Sequence, residues 1–421
     1  MKRGHLSEYF TGVATKRLST VEADVLSSHQ HEFNGVEALK RIFGEATGKQ
    51  RFPTRFLYLD DSADDPVVAD GLLTWYDARE QHPTRSEHRL YFPDTAVSAR
   101  AAPGDLLVIG RRPDGSALVV VARDGSTVAN QVSWLFGVAD LADPGFAIRE
   151  DLEGERDRIA LASRLILEQI GIQIAAPPDT HLEDMLQRFD GRFPTTRVFS
   201  EYTRSTLPDV RPDDGADAAL IAWMEREETL FRTLERHLIS DRLSRGFGEH
   251  HMISDGFTHG ATADVDGFIA FSLSVQNRRK SRVGYALENH LERLFGSLGI
   301  LFARTAMTEN RSKPDFLFPG RTEYADPHFD PARLTVLGVK STCKDRWRQV
   351  LAEADRIEQK HLLTLETAIS THQTDEMQAR RLHLVLPRPL HATFTTVQQA
   401  WLMDVDAFIA LLRRRQTAPT T

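Results

Sequence analysis

The sequence predicts a two-part α/β chain, a mostly β module followed by a helix-rich module built on a mixed sheet. Three observations carry that expectation. Residues 1 to about 138 hold short apolar or alternating runs separated by turn residues. Ile174-Ala-Ala-Pro-Pro-Asp179 then places two prolines where a helix must end and the connection stiffens. After residue 181 the pattern turns helix-rich with three or four strands, which suits a sheet flanked by helices. The expected domains are 1–172, a linker over 173–180, and 181–421, and a chain of 421 residues is long enough to give each its own core.

In order along the chain, a helix is expected near Gly35 to Phe43. Strands follow at Phe56-Leu-Tyr-Leu59, Glu87-His-Arg-Leu-Tyr-Phe92, Asp105-Leu-Leu-Val-Ile-Gly110 and Ala117-Leu-Val-Val-Val-Ala122. Pro113-Asp-Gly115 and Arg123-Asp-Gly125 read as turns. Glu155 to Ile170 is a charged helical stretch. Trp223 to His237 is a helix whose apolar positions 223, 224, 230, 231 and 234 form a buried stripe. Pro314-Asp-Phe-Leu-Phe318 and Leu334-Thr-Val-Leu-Gly-Val-Lys340 are strands, and Lys344 to Ile357 is a helix with Trp347, Val350, Leu351 and Ala354 at helical spacing. Arg413-Arg-Arg415 suits a helix C-terminus, where the macrodipole favours cations.

Bulk properties bound the function without choosing it. The net charge is −8 and the pI about 6.1, so the overall balance does not point to nucleic acid. Recognition depends on a local basic face instead. One cysteine excludes an internal disulfide framework and fits a reducing compartment. Cys343 reads as a small buried residue at a strand-to-helix turn, since no histidine lies near it in sequence to activate it. Met1-Lys-Arg-Gly-His-Leu-Ser7 has no apolar h-region and no run reaches the length of a membrane span, so a cytoplasmic protein with no membrane partner is expected. Adjacent His250 and His251 with Glu249 lack a further ligand pair at zinc spacing, and no zinc site is expected there.

The chemistry is concentrated near residue 315. Asp315 stands at the edge of one strand and Lys340, 25 positions later, ends the next. Strands of that composition are buried on both faces, so the two charges need each other or a ligand. A carboxylate that can hold Mg²⁺ beside a lysine that can orient a water is the minimum set for cutting a phosphodiester. Nucleases of the PD-(D/E)xK class are built this way, with a second acid two residues before the lysine. Here that position is Gly338, and Glu353 on the following helix is the candidate to return the missing carboxylate. The plainer alternative is a strand-end ion pair beside a solvated glutamate.

A longer pattern surrounds these residues. Val339-Lys-Ser-Thr-Cys-Lys-Asp-Arg-Trp-Arg-Gln349, ending in Glu353-Ala-Asp355, resembles the catalytic segment of EcoRII-type restriction endonucleases. That family also moves its second acid from strand to helix. Gly267-Phe-Ile-Ala-Phe-Ser-Leu-Ser274, Asn277-Arg-Arg-Lys-Ser-Arg-Val-Gly284, Leu287-Glu-Asn-His-Leu-Glu292 and Lys313-Pro-Asp315 match in the same order. The resemblance implies a restriction-endonuclease-like α/β/α core and Mg²⁺-dependent double-strand cleavage. Asp315, Lys340 and Glu353 would be the catalytic set, with Asp315 and Glu353 on the metal and Glu288 lining the same site. It further implies that Lys344, Asp345 and Arg346 read adjacent C:G pairs. Their donor and acceptor types agree, lysine and arginine suiting guanine O6 and N7 and aspartate the cytosine amino group. Arg232 or Arg236 would line a pocket for an extruded central base.

The N-terminal module is similar to the same family's effector domain, a B3-like DNA-binding β-pseudobarrel. Lys16-Arg-Leu-Ser19, His29-Gln30, Trp75-Tyr76, Arg79 and Arg85-Ser-Glu-His-Arg89 keep the family's order. Val21-Glu-Ala-Asp-Val-Leu-Ser-Ser28 replaces its glycines, and Asn34 stands where it has an aromatic. The resemblance assigns DNA contacts to Lys16, His29, Arg79, Arg85, Glu87 and Arg89. Read as residues alone, Arg85, Glu87 and Arg89 alternate and would leave one strand face, either reading bases or forming ion pairs among themselves.

Taken together, these patterns predict a homodimeric type II restriction endonuclease of the kind that needs two or more copies of its site. It would cut a short CC…GG sequence of CCWGG type and be restrained by its effector domain, with a cognate DNA methyltransferase in the same system but not in a complex. The competing expectations are a DNA-binding regulator with an inactive nuclease fold and a structure-specific repair nuclease. The first would not need Asp315, Lys340 and Glu353, and the second would not need the base-reading triplet.

Overall fold

The computed structural model describes the chain except residues 25–30, 34–36, 47, 64, 83, 139–144, 175–179, 246–257, 260, 261, 264, 342, 344, 345 and 418–421. The expected linker and the Glu249–His251 cluster therefore lie largely or wholly outside the described residues. Two compact units result. One is Met1–Ile174 with Thr367–Thr374 and Ala392–Ala400, and the other is the remainder.

The first unit is a single sheet of eight strands, β1 (Gly12–Arg17), β2 (Glu32–Phe33), β3 (Gln50–Leu59), β4 (Val67–Asp77), β5 (His88–Tyr91), β6 (Leu106–Arg111), β7 (Ala117–Ala122) and β8 (Ala147–Arg149), in the order β2-β5-β4-β3-β7-β6-β1-β8. Only β3 and β7 pair in parallel. The apolar runs of β6 and β7 are buried on both faces, and their period of two divides the core. Leu106, Val108, Val120 and Ala122 join one cluster; Leu107, Ile109, Val119 and Val121 join another. Between the two strands, Gly115 takes φ +84°, which only glycine adopts cheaply. Both expected turns and all four expected strands are present, with β5 one residue shorter at each end than expected and β6 displaced by one residue, to Leu106–Arg111.

The helix at residues 35–43 shortens to Lys40–Phe43, and the Glu155–Ile170 stretch divides into a 3-10 turn, Glu155–Asp157, and a helix, Leu161–Gln169. The helix Thr127–Phe136 was not anticipated, nor was the single turn Thr20–Ala23. The signals of the longer helix are local: Ser126 accepts from Ala129 N–H at its start and Gly137 closes it in the left-handed region. Its apolar face covers the first core cluster. Its polar side holds chain that is distant in sequence, because Asn130 donates to Thr393 O at 3.0 Å and Phe394 O at 2.9 Å, and Thr127 Oγ1 to Gln398 at 3.2 Å.

The second unit carries a two-stranded antiparallel sheet, β9 (Thr258–His259) and β10 (Thr262–Ala263), and a five-stranded mixed sheet. Its strands β11 (Ala303–Arg304), β12 (Phe316–Phe318), β13 (Thr335–Lys340), β14 (Lys360–Thr364) and β15 (Leu382–Val385) lie in sequence order. β11 to β13 are antiparallel neighbours and β13 to β15 parallel ones. Phe295 of the long helix Val265–Ser297 packs edge-on against Phe316 and Phe318 at ring distances of 5.2 Å, fixing that helix to the strand that follows Asp315. The stripe at positions 223, 224, 230, 231 and 234 is buried as expected, in the helix Ala216–Arg245.

A further expected element differs in extent. The helix after Lys340 runs only from Trp347 to Leu351, and Glu353 sits in the turn beyond it rather than on it. The helix stops where Ala354 takes φ +53° and Lys360 Nζ caps the last carbonyls, bonding Leu351 O and Glu353 O. No helix among the described residues is long and apolar enough to cross a membrane.

Candidate active site

Asp315 directly precedes β12 and Lys340 ends β13, and the antiparallel register of Phe316 opposite Leu337 brings them side by side. Asp315 Oδ2 accepts from Val339 N–H at 2.6 Å and from Lys340 Nζ at 2.8 Å. Both donors go to one oxygen, which leaves Oδ1 out of the pair. The lysine side chain is 11% exposed and the aspartate 17%, so the pair is shielded but reachable.

Gly338 explains why the second acid is displaced. A Cβ there would lie 2.5 Å from Val350 Cγ2 and 3.1 Å from Cγ1. The short helix fills the space beside Gly338, and no side chain fits there. The same close packing delivers the turn that carries Glu353. Its Oε2 is buried with no hydrogen-bond partner. Burial pushes the Glu353 carboxyl above the usual carboxylate range, Lys340 opposes that shift, and Asp315 adds to it.

Glu288 reaches the same region from the helix Val265–Ser297. Burial raises its carboxyl too, with the Arg304 hydrogen bond opposing, Asp315 adding and Lys340 opposing. Asp315, Lys340, Glu353 and Glu288 therefore share one electrostatic environment. Among the described residues no group of three or more His, Cys, Asp or Glu side chains is placed to hold a metal ion. A buried carboxylate oxygen without a partner beside a carboxylate with one oxygen outside its ion pair fits a hard cation that keeps water and phosphate ligands.

Comparison with known proteins gives the arrangement its context. A family model described as EcoRII C terminal matches residues 231–409. The type II restriction enzyme EcoRII of Escherichia coli is 39% identical over 408 residues, 95% of this chain and 93% of that protein. The chain belongs to the EcoRII family of restriction endonucleases. Its enzyme class is accordingly that of a type II site-specific deoxyribonuclease. Among solved structures, metal-depleted Ecl18kI in complex with uncleaved, modified DNA has a TM-score of 0.42 at 18% identity, covering 59% of this chain and 88% of that one. The restriction endonuclease PspGI–substrate DNA complex has 0.41 at 15%, covering 53% and 94%.

The remaining candidates of the endonuclease divide by position. Arg346 is exposed at the head of the short helix, while Lys344 and Asp345 lie outside the described residues. Arg232 pairs with Glu228 one turn earlier, and Arg236 is exposed. In the first unit Lys16 is corrected from a surface contact to an interior one. Its ammonium is 2.8 Å from Glu22 Oε1 with both side chains at 3% exposure or less, because the capping box of Ser19 buries Glu22 and a buried carboxylate needs a cation. His29 lies outside the described residues.

Arg85 is exposed but precedes β5, so the three-residue alternation is not one strand face. Glu87 lies between Arg79 and Arg89, whose hydrogen bonds, Arg89 first, hold it below the usual carboxylate range. Arg89 also pairs with Glu32 at 2.9 Å. Cys343 is buried and its thiol pushed up by burial, as befits a packing residue. No signal in the sequence points to Arg304, which has no motif around it. Its side chain, however, hydrogen-bonds to Glu288, Asn289 and Glu292 of Leu287-Glu-Asn-His-Leu-Glu292.

Proposed function

We propose that this endonuclease cuts both strands of DNA at a short CC…GG site of CCWGG type, with Asp315, Lys340 and Glu353 as its cleavage centre and Mg²⁺ as its cofactor. The observation that carries this is the Lys340–Asp315 pair at the ends of adjacent strands, beside a buried carboxylate with an unpartnered oxygen. Asp315 and Glu353 would hold the ion, which when bound supplies positive charge at the scissile phosphate. Lys340, aimed by Asp315, keeps its ammonium where it can orient the attacking water and stabilise charge developing on the phosphate. Burial raises Glu353, so its carboxyl binds a cation more readily as pH rises.

Double-strand cutting needs one such centre for each strand, which a two-fold homodimer supplies on matching half-sites. Lys344, Asp345 and Arg346 would read the flanking C:G pairs, and Arg232 or Arg236 an extruded base. Residues 1–172, through His29, Arg79, Arg85, Glu87 and Arg89, would bind a second copy of the site and release the nuclease from restraint. A cytoplasmic location beside a cognate DNA methyltransferase goes with this role.

Plasmid digestion with Mg²⁺ tests the reading. Discrete fragments with C:G pairs flanking the cut are expected. Smears or nicks would mean a repair nuclease, and termini without flanking C:G pairs would remove the base-reading role of Arg346 and its neighbours.

A further inference from the structure

Arg304 stands outside the cleavage centre yet touches Glu288, which shares its electrostatic environment. It ends β11 opposite Phe316, the residue after Asp315. Its Nη2 donates to Glu288 Oε2 at 2.6 Å, and its Nη1 to Glu292 Oε2 at 2.6 Å and Asn289 Oδ1 at 3.2 Å. Glu288 and Glu292 are one helical turn apart, so a single guanidinium bridges two turns of the helix Val265–Ser297. Arg304 is 18% exposed and Glu288 19%, a setting where a charged hydrogen bond is only weakly screened.

The clamp is held from behind. Asn289 Nδ2 donates to Ser200 Oγ at 3.3 Å, and Ser200 Oγ donates to Glu227 Oε1 at 3.2 Å. All three of those residues are buried. A continuous polar chain thus ties two further helices to the strand beside Asp315. Glu288 in turn feels both Asp315 and Lys340.

We propose that Arg304 is a positioning residue for DNA cleavage: its planar fork, fixed by Asn289 and Glu292, holds Glu288 beside the strand that follows Asp315. This rests on the Asp315–Lys340 pair being the cleavage centre. Two fixed bonds to different turns suit a guanidinium, and a lysine could not make both in one geometry.

Single-turnover cleavage and site-binding measurements on the full-length protein test it, using Arg304→Gln, Arg304→Lys, Glu288→Gln, the Arg304→Gln/Glu288→Gln double variant and Asp315→Ala. Arg304→Gln is expected to slow cleavage about 10- to 100-fold, the order that a small misplacement of an active-site group costs, with site affinity intact. Arg304→Lys should recover part of that loss. The double variant should be no slower than the slower single, because both changes remove one shared interaction.

Wild-type cleavage by Arg304→Gln, or losses that multiply in the double variant, would overturn the positioning role. Should Arg304→Gln fail to fold, Arg304→Lys decides alone: slowed cleavage with intact site binding supports the role, and wild-type cleavage overturns it. Asp315→Ala separates the two levels. If it still cuts, the cleavage centre itself is misassigned; if it is inactive while Arg304→Gln cuts normally, only the positioning role falls.

Discussion

Lys340 and Asp315 form a pair in which each partner justifies burying the other, so removing either leaves an uncompensated charge as well as a missing function. Asp315→Ala and Lys340→Ala are each expected to abolish cleavage while leaving site binding largely intact. A gel-shift assay beside the cleavage assay checks both halves of that statement. Acid stability is expected to depend on a different residue. His361 is fully buried, stacked 6.0 Å from His383, and burial pushes it down to about 3 from its ordinary 6.5.

The unfolded chain therefore takes up a proton as pH falls through about 6.5, whereas the folded one resists until near 3. The neutral His361 contributes its full stability above 6.5 and loses it towards 3, by at most about 1.4 kcal/mol per pH unit. Urea unfolding at pH 7.5 and 5.0 should show a smaller acid loss for His361→Leu than for wild type. Equal losses would mean His361 does not carry the effect. At this scale the sequence was legible where a charge must be satisfied, as at Asp315 and Lys340. It was not legible at Lys16, because only the fold shows that Glu22 needs it inside.

Among the elements, the junction of β13 with the helix Trp347–Leu351 decides where the second acid can be. Gly338→Ala would force Cβ against the stiff, β-branched Val350, and is expected to destabilise by about 1–3 kcal/mol. Val350→Ala should relieve that clash, so the double variant should be more stable than Gly338→Ala alone; chemical denaturation of the three variants checks it. Strand positions were readable because buried β-branched runs have few alternatives, as in β7 and β13. Helix lengths were less so. Periodicity carried the expected helix to Ile357, but the left-handed Ala354 and the cap from Lys360 end it sooner, and neither leaves a mark in the hydrophobic pattern. The helix Thr127–Phe136 was overlooked although Ser126 and Gly137 mark both of its ends.

For the whole molecule, Thr367–Thr374 and Ala392–Ala400 belong with the first unit, which a reading by position along the chain cannot foresee. A chain beginning at residue 181 would strip those segments of the partners that Thr127 and Asn130 provide. Second-site dependence is better tested on the intact protein. Adding a short duplex that carries the site should speed cleavage of a single-site plasmid, and an unchanged rate would remove the effector role.

This endonuclease is expected to cut with a carboxylate displaced from Gly338 to the turn after the helix Trp347–Leu351. Single-turnover cleavage at saturating Mg²⁺, comparing Glu353→Ala with Asp355→Ala, tests it most directly. Glu353→Ala should lose at least about 100-fold, while Asp355→Ala, whose side chain is exposed, should cut at the wild-type rate. Wild-type turnover by Glu353→Ala, or inactivity of Asp355→Ala instead, would contradict the account.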